Sequence, residues 1–418
     1  MLRRTTLRTL LPTLVLGLSA CAAPTAPWTP PPQGAAADAG AGAAPDADTP
    51  FVEGGGKPGA VGQLTGTVMA PNGTMPVAGA LVYLTPARPA AQPAKVYCDQ
   101  CVKLPSGAPY AIADAKGAFT LSPTSTGSQY LVVQKGGFRK VREIYVSKGD
   151  DALPNTLTTL PSKTDLVAGD EVPRMTVVQG QYDEIEASLV KLGIDASAIE
   201  LVHSPLIGVA AKSFLTDANA LGGRHIVFLP CGDFTQPSPN VDLSTDATIQ
   251  KNLRDFVAAG GRVYATDWHY DFIARTFPGL VSFHGESATA CSGCGKVPYT
   301  AAAEVIDPSL SSWMTAQGLS TFALEKNYTS IDAVHSAQVT TSWGTKTVTP
   351  KVWVRGSVNG AAPRPATVSF EYGCGRVLFS TYHTEPFSLS LTAQERALLG
   401  VLLEVTVCND SDNGVIVN

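Results

Sequence analysis

The chain has 418 residues, and 44% of them are hydrophobic, enough for real cores. A formal net charge of −5 leaves no basic footprint, so nucleic acid is excluded as an expected partner. Eight cysteines make the redox compartment a question the rest of the sequence has to answer.

Arg3, Arg4 and Arg8 form a basic start, and Leu10 to Leu18 is an apolar run too short to span a bilayer. The run ends in Leu18-Ser19-Ala20-Cys21, which resembles the lipobox of bacterial lipoproteins. The resemblance implies a signal peptide over residues 1–20, cleavage before Cys21 and acylation of that cysteine, with palmitate among its chains. Ala22 follows Cys21 where an Asp would imply inner-membrane retention, so the resemblance implies the outer membrane. The other reading is an ordinary signal peptide with a chance cysteine. Residues 21–60 are mostly Ala, Pro, Gly and Asp, cannot bury enough surface to fold, and read as a disordered tether.

Export places the remaining seven cysteines in an oxidising compartment. Cys98-Asp-Gln-Cys101 and Cys291-Ser-Gly-Cys294 each read as a local disulfide, as half of a zinc site or as a redox motif, though neither has the strand-to-helix setting of a thioredoxin-like one. Cys374 and Cys408 are placed to pair between the last strand and the chain end, which leaves Cys231 as the odd thiol.

From residue 62 short alternating runs broken by Pro-Asn-Gly and Pro-Val-Ala-Gly predict strands and turns. Asp114-Ala-Lys-Gly117 is a tight turn before the strand Ala118–Leu121, and two strands flank Gly136-Gly137. The order GTV, PVAGALVYL, DAKGAFTL and a valine-rich strand ending near GGF resembles the carboxypeptidase regulatory-like domain. That resemblance implies a small transthyretin-like β-sandwich of the carbohydrate-binding-like fold over residues 61–160. Such modules serve as spacers or bind sugars or proteins, and no cluster of exposed aromatics marks a sugar platform here. The polar segment 161–171 reads as a linker.

From Arg174 the pattern becomes α/β. The buried strands RMTVVQG, IELVHS, RHIVFLPCG and GRVYATDW alternate with amphipathic helices, one with Ile185, Leu189 and Leu192 on its inner face. A second helix, with Leu253, Phe256 and Val257 apolar, is expected to be capped by Ser244 or Thr245 and to end at the Gly-Gly that follows it. This alternation predicts a doubly wound parallel sheet, interrupted by a β-rich insertion at about 280–370 and resumed at ATVSFEYGCGRVLFSTYHTEP. The domain runs from 172 to 408, with residues 409–418 a tail. Ligands in such sheets bind beyond the carboxyl ends of the strands, which singles out Cys231, Asp267 to Asp271, and His383 to Glu385.

The order of elements resembles the class I glutamine amidotransferase-like fold, a flavodoxin-like doubly wound sheet. Its triad closes with a strand and His-x-Glu, matched by His383-Thr384-Glu385. The resemblance places the nucleophilic cysteine on the turn after GGRVYAT, but that turn holds Asp267-Trp268-His269, and no Gly-x-Cys-x-Gly occurs in the chain. Trp268 is expected at or beside the nucleophile position. Without an attacking atom the covalent step of glutamine hydrolysis cannot run. Three readings stay open. The domain is a degenerate relative used for binding or scaffolding. Alternatively Asp267, His269, Asp271, His383 and Glu385 form a metal-dependent or hydrolytic site, with Asp267, His269 and Asp271 as metal candidates. In the third reading Cys231 is a nucleophile activated by His383.

The expected protein is therefore a membrane-anchored envelope lipoprotein of non-catalytic role, with a glycan or an envelope protein as ligand and no cofactor. The alternative is an envelope hydrolase. If Cys21 carries the anchor, Cys21→Ser should leave the chain unacylated and released from membranes on fractionation. An unchanged membrane fraction would rule that anchor out.

Overall fold

The computed structural model describes residues 59–99, 102, 104, 107–203, 207–232, 242–284, 298–358, 360–384 and 388–405. All of them belong to one compact unit, Gly42–Asn418. The expected signal segment, the expected tether up to residue 58 with Cys21, and Cys101, Cys291, Cys294, Glu385, Cys408 and the expected tail lie outside the described residues.

The first strands are β1 (Leu64–Thr67), β2 (Leu81–Thr85), β3 (Tyr110–Ile112), β4 (Ala118–Leu121), β5 (Gly127–Lys135), β6 (Phe138–Val146), β7 (Asp151–Ala152) and, after the short helix α1 (Asn155–Thr158), β8 (Asp170–Glu171). They form two sheets, ordered β4-β1-β7 and β3-β2-β5-β6-β8. The turn before β4 forms as its residues dictate. The Asp114 carboxylate accepts from the Lys116 and Ala118 amides, and Gly117 takes φ +73° where a Cβ would strike the Val68 carbonyl. The segment 161–171 is not an open linker. It ends in β8 on the edge of β6, where Arg139 meets Glu171 and Arg142 meets Asp170.

The second part contains β9 (Met175–Val178), α2 (Ile185–Lys191), β10 (Ile199–Val202), α3 (Ile207–Thr216), α4 (Ala218–Gly222), β11 (Ile226–Leu229), α5 (Ala247–Ala258), β12 (Arg262–Thr266), α6 (Tyr270–Thr276), β13 (Val281–Phe283), β14 (Tyr299–Val305), α7 (Pro308–Ala316), β15 (Ala323–Asn327), β16 (Ile331–Val334), β17 (Ala337–Thr341), β18 (Gly344–Val348), β19 (Lys351–Ser357), β20 (Arg364–Tyr372), β21 (Gly375–Ser380) and α8 (Ala393–Val405). Nine strands make one sheet in the order β10-β9-β11-β12-β21-β20-β19-β14-β15. The first five run parallel in the flavodoxin-like order, with the chain reversing direction across the sheet between β9 and β11. Every residue of β9, β11 and β12 is buried, as strands covered on both faces require.

Two expectations change here. The insertion does not merely interrupt the parallel sheet. Its strands β14, β15 and β19, with β20, extend the sheet as an antiparallel half, while β13–β16 and β17–β18 form separate two-stranded ribbons. The cap of α5 is Asp246, whose carboxylate accepts from the Thr248 and Ile249 amides. Ser244 and Thr245 belong instead to a single 3-10 turn capped by Asp242.

The cysteine pairing also changes. Cys98 is joined to Cys374 across 276 residues, with their Cα atoms 5.4 Å apart. This excludes both the Cys98–Cys101 and the Cys374–Cys408 bridges. The cause is the path of the long β2–β3 connection, which leaves its own sheet and crosses the amino ends of the parallel strands. There Val96 bonds to Gly222, the His225 ring meets the Pro93 carbonyl at 3.0 Å, and Arg262 meets Asp99 at 3.3 Å. Cys231 is a free, buried thiol.

One continuous core runs through both parts, from Leu64, Val82 and Phe119 to Met175, Ile185, Trp313 and Leu398. The Trp313 indole donates to the Pro76 carbonyl at 2.8 Å. The Asn72 amide donates to the Leu192 carbonyl, and a Cβ on Gly193 would lie 2.2 Å from the Asn72 nitrogen. Because this interface is desolvated, Trp313→Ala should cost about 3–5 kcal/mol and leave a single unfolding transition in chemical denaturation. Two separated transitions in the wild-type protein would show that the parts do not share a core.

Candidate functional site

The carboxyl ends of β9, β11, β12 and β21 converge on one buried constellation. Asp267 follows Thr266, the last residue of β12, and takes φ +43°, a conformation unusual for a residue with a side chain. The sharp strand-to-helix turn therefore has Asp267 at its apex, with Trp268 beside it. Trp268 is only half-buried, edge-on to Tyr182 at 4.9 Å and to Tyr328 at 5.6 Å.

Strand β21 lies next to β12, and three residues past its end His383 brings Nε2 to 2.9 Å from Asp267 Oδ2. The approach is a close ion-pair contact rather than an aligned hydrogen bond. The Tyr328 amide donates to both Asp267 oxygens, at 3.0 and 3.2 Å, and the Tyr328 ring stacks on the imidazole at 5.6 Å. Gln394 of α8 donates to the His383 carbonyl at 2.9 Å. Asp267 is 0% exposed and His383 3%.

Cys231 comes from the turn after β11 and is 1% exposed. Its sulfur, the Asp267 carboxylate and the His383 ring lie within 4.8 Å of one another. The Trp268 amide points at the sulfur. The loops holding Cys231 and the end of β9 pack tightly, since a Cβ on Gly180 would sit 2.2 Å from the Cys231 carbonyl oxygen.

Beneath this group lies Asp183, which the sequence presented only as the approach to α2. The Cys231 amide donates to the Thr266 hydroxyl at 2.7 Å, and that hydroxyl donates to Asp183 at 2.6 Å. Both the amide and the hydroxyl of Thr384 also donate to Asp183. Asp183, Thr266, Thr384 and Tyr328 were not singled out by the sequence. The one hint was the place of Thr384 inside His383-Thr384-Glu385.

Electrostatics separate the roles. Burial pushes the Cys231 thiol well above its ordinary value, and the Asp267 charge adds to this, so the sulfur is a neutral thiol. Burial likewise raises Asp267. Burial pulls His383 down, but contact with Asp267 and the charge of Asp183 outweigh it and the ring titrates above its usual value. Both directions favour a proton retained between the two side chains. The turn thus offers an acceptor carboxylate where a thiolate would be needed to attack a carbonyl carbon.

His269 and Asp271 do not join the group. The His269 ring turns back to the Leu229 carbonyl, 3.3 Å away, and packs edge-on to Phe272. The Asp271 carboxylate accepts from the next amide, that of Phe272, inside its own helix and faces Asp242 and Arg275. Of the metal candidates from the sequence, only Asp267 reaches His383, because alternate positions on a tightening turn point in different directions. Glu385 falls outside the described residues.

No protein-family profile matches the sequence, and no curated protein matches it. Among solved structures the chain is similar to a ThuA-like protein from Bacteroides uniformis, at 10% identity and a TM-score of 0.32, over 58% of this chain and 95% of that one. It is similar to a cytoplasmic protein from Salmonella typhimurium at 11% identity and a TM-score of 0.28, over 66% and 94%. It is similar to a β-galactosidase from Rahnella at 14% identity and a TM-score of 0.32, over 57% of this chain and 32% of that one. At these TM-scores the description of the fold rests on its own strand order, not on the likenesses.

Asp271 has a consequence for pH dependence. Burial, and then the charge of Asp242, raise it from 3.8 to about 7. In the unfolded chain the group ionises near 3.8, whereas in the folded chain it holds its proton to about 7. Its contribution to stability is thus complete at low pH and falls as pH rises through that window. Denaturant titrations from pH 4 to 7 should show a downward component that Asp271→Asn removes. An unchanged slope in the variant would contradict this.

Proposed function

We propose that this chain is an exported envelope protein, anchored through Cys21 at the outer membrane, whose β and α/β parts act together as a binding or scaffolding body for a glycan or protein ligand. In this reading the first part is a carboxypeptidase regulatory-like module. The second is a class I glutamine amidotransferase-like domain that no longer hydrolyses glutamine.

The observation that carries the reading is the residue at the apex of the β12 turn. Asp267 stands where a nucleophile is needed, and its carboxylate is engaged by His383 and the Tyr328 amide. An Asp–His contact with both partners buried holds two strand ends together, and removing one partner strands a charge in the interior. Among the described residues no helix is long and apolar enough to cross a membrane. The proposed attachment rests on the acyl chains that the lipobox-like Leu18-Ser19-Ala20-Cys21 implies.

A second reading keeps Cys231 as a nucleophile for His383, supported by their proximity. The neutral state of the thiol weighs against it. Glutamine hydrolysis by the purified protein decides between the two. We expect none above background, and we expect His383→Ala to lower stability by about 3–5 kcal/mol. Glutaminase activity that is lost in both His383→Ala and Cys231→Ala would overturn the binding role.

A further inference from the structure

We infer that Cys231, Asp267 and His383 form a binding site for one divalent transition-metal ion, of which zinc is the best fit.

The donor set is the first reason. A thiol, a carboxylate and an imidazole come from the ends of three adjacent strands, β11, β12 and β21, and all three are buried. Sulfur, oxygen and nitrogen donors together suit zinc and its neighbours better than magnesium or calcium. Three points within 4.8 Å of one another fit inside a circle of radius ~2.8 Å, so closing by about 0.5–0.8 Å reaches zinc–ligand distances of about 2.0–2.3 Å.

The second reason is charge. Asp183 and Asp267 are both buried beside a single buried imidazole. Lys326, the other cation that acts on His383, is on the surface. Buried charges are stable only when paired or bound to a metal. A dication held by the Cys231 thiolate, the Asp267 carboxylate and neutral His383 would be neutral as a unit, leaving Asp183 to its three hydrogen bonds from Thr266 and Thr384. The surroundings suit ligation. The Trp268 amide points at the sulfur, and the Tyr328 amide holds the carboxylate oxygens, as outer partners of metal ligands do.

Binding forms metal–sulfur, metal–oxygen and metal–nitrogen bonds. It releases the Cys231 thiol proton, and any proton shared by Asp267 and His383, to solvent. No oxidation or reduction is involved. Three protein ligands leave one position of a tetrahedral ion for a ligand from outside.

The test uses the purified full-length protein with its disulfide intact, stripped with a chelator, loaded with Zn(II) or Co(II) and freed of excess metal. We expect one ion per chain and, with Co(II), a near-ultraviolet thiolate-to-cobalt absorption. Cys231→Ser should remove that absorption and weaken binding at least tenfold, while Asp267→Asn should weaken binding and keep it. If Cys231→Ser does not fold, the double variant Cys291→Ser, Cys294→Ser replaces it and must keep the absorption. Substoichiometric metal in the wild-type protein, absorption that survives Cys231→Ser, or absorption lost in the double variant would each overturn the site. These outcomes are independent of glutaminase activity, so this inference and the proposed binding role can fail separately.

Discussion

Strand β12 lies parallel beside β21, in register from Arg262 opposite Arg376 to Thr266 opposite Ser380. Both strands begin with Gly-Arg-Val, and both are buried along their length apart from the partly covered Arg376. That alignment places the turn after one strand against the turn after the other and brings a carboxylate and an imidazole to 2.9 Å. The amino ends of the same strands are fixed by Arg262 on Asp99 and by the Cys98–Cys374 bridge. The pair of strands is thus held at both ends, and the buried polar group at the carboxyl edge depends on that rigidity.

The polar group is satisfied in layers. Asp183 gathers donors from Thr266 and Thr384, and so links three of the four loops that make the edge. In a medium of low polarity such a network is favourable only when its members are nearly all bonded. It therefore fixes one arrangement of loops, which apolar packing alone would leave less defined. The strained backbone at Asp267 is held by the Tyr328 amide on its carboxylate.

The parallel half of the sheet was legible because fully buried strands leave continuous apolar runs such as Ile226–Leu229, and because helix faces recur at Ile185, Leu189 and Leu192. The approach of Asp267 to His383 was legible from the paired Gly-Arg-Val starts and the rule that sites gather at carboxyl ends. The antiparallel half was not. Strands β14 and β15 carry exposed polar residues such as Glu304, Glu325 and Lys326, and their pairing partners lie far off in sequence. The cysteine pairing was illegible for a related reason. Proximity in sequence favoured Cys101 for Cys98, whereas the actual partner is set by a loop that leaves its own sheet. Asp183 was hidden because a carboxylate before a helix reads as an end-of-helix charge, and only the fold turns it inward.

The position of β21 also governs the order in which the molecule can form. Among the described residues it is the last strand, but it sits fifth of nine in the sheet, between β12 and β20. A chain emerging amino end first presents β9 to β12 well before their neighbour exists. Until β21 arrives, β12 has an unpaired edge on a strand that the finished fold buries throughout, the kind of edge that joins other chains. Cys98 waits over the same interval, because its partner lies 276 residues on. Completion of this fold therefore belongs to the end of synthesis. A chain truncated before Cys374 would lack both the strand that joins the two halves of the sheet and the cysteine that secures it.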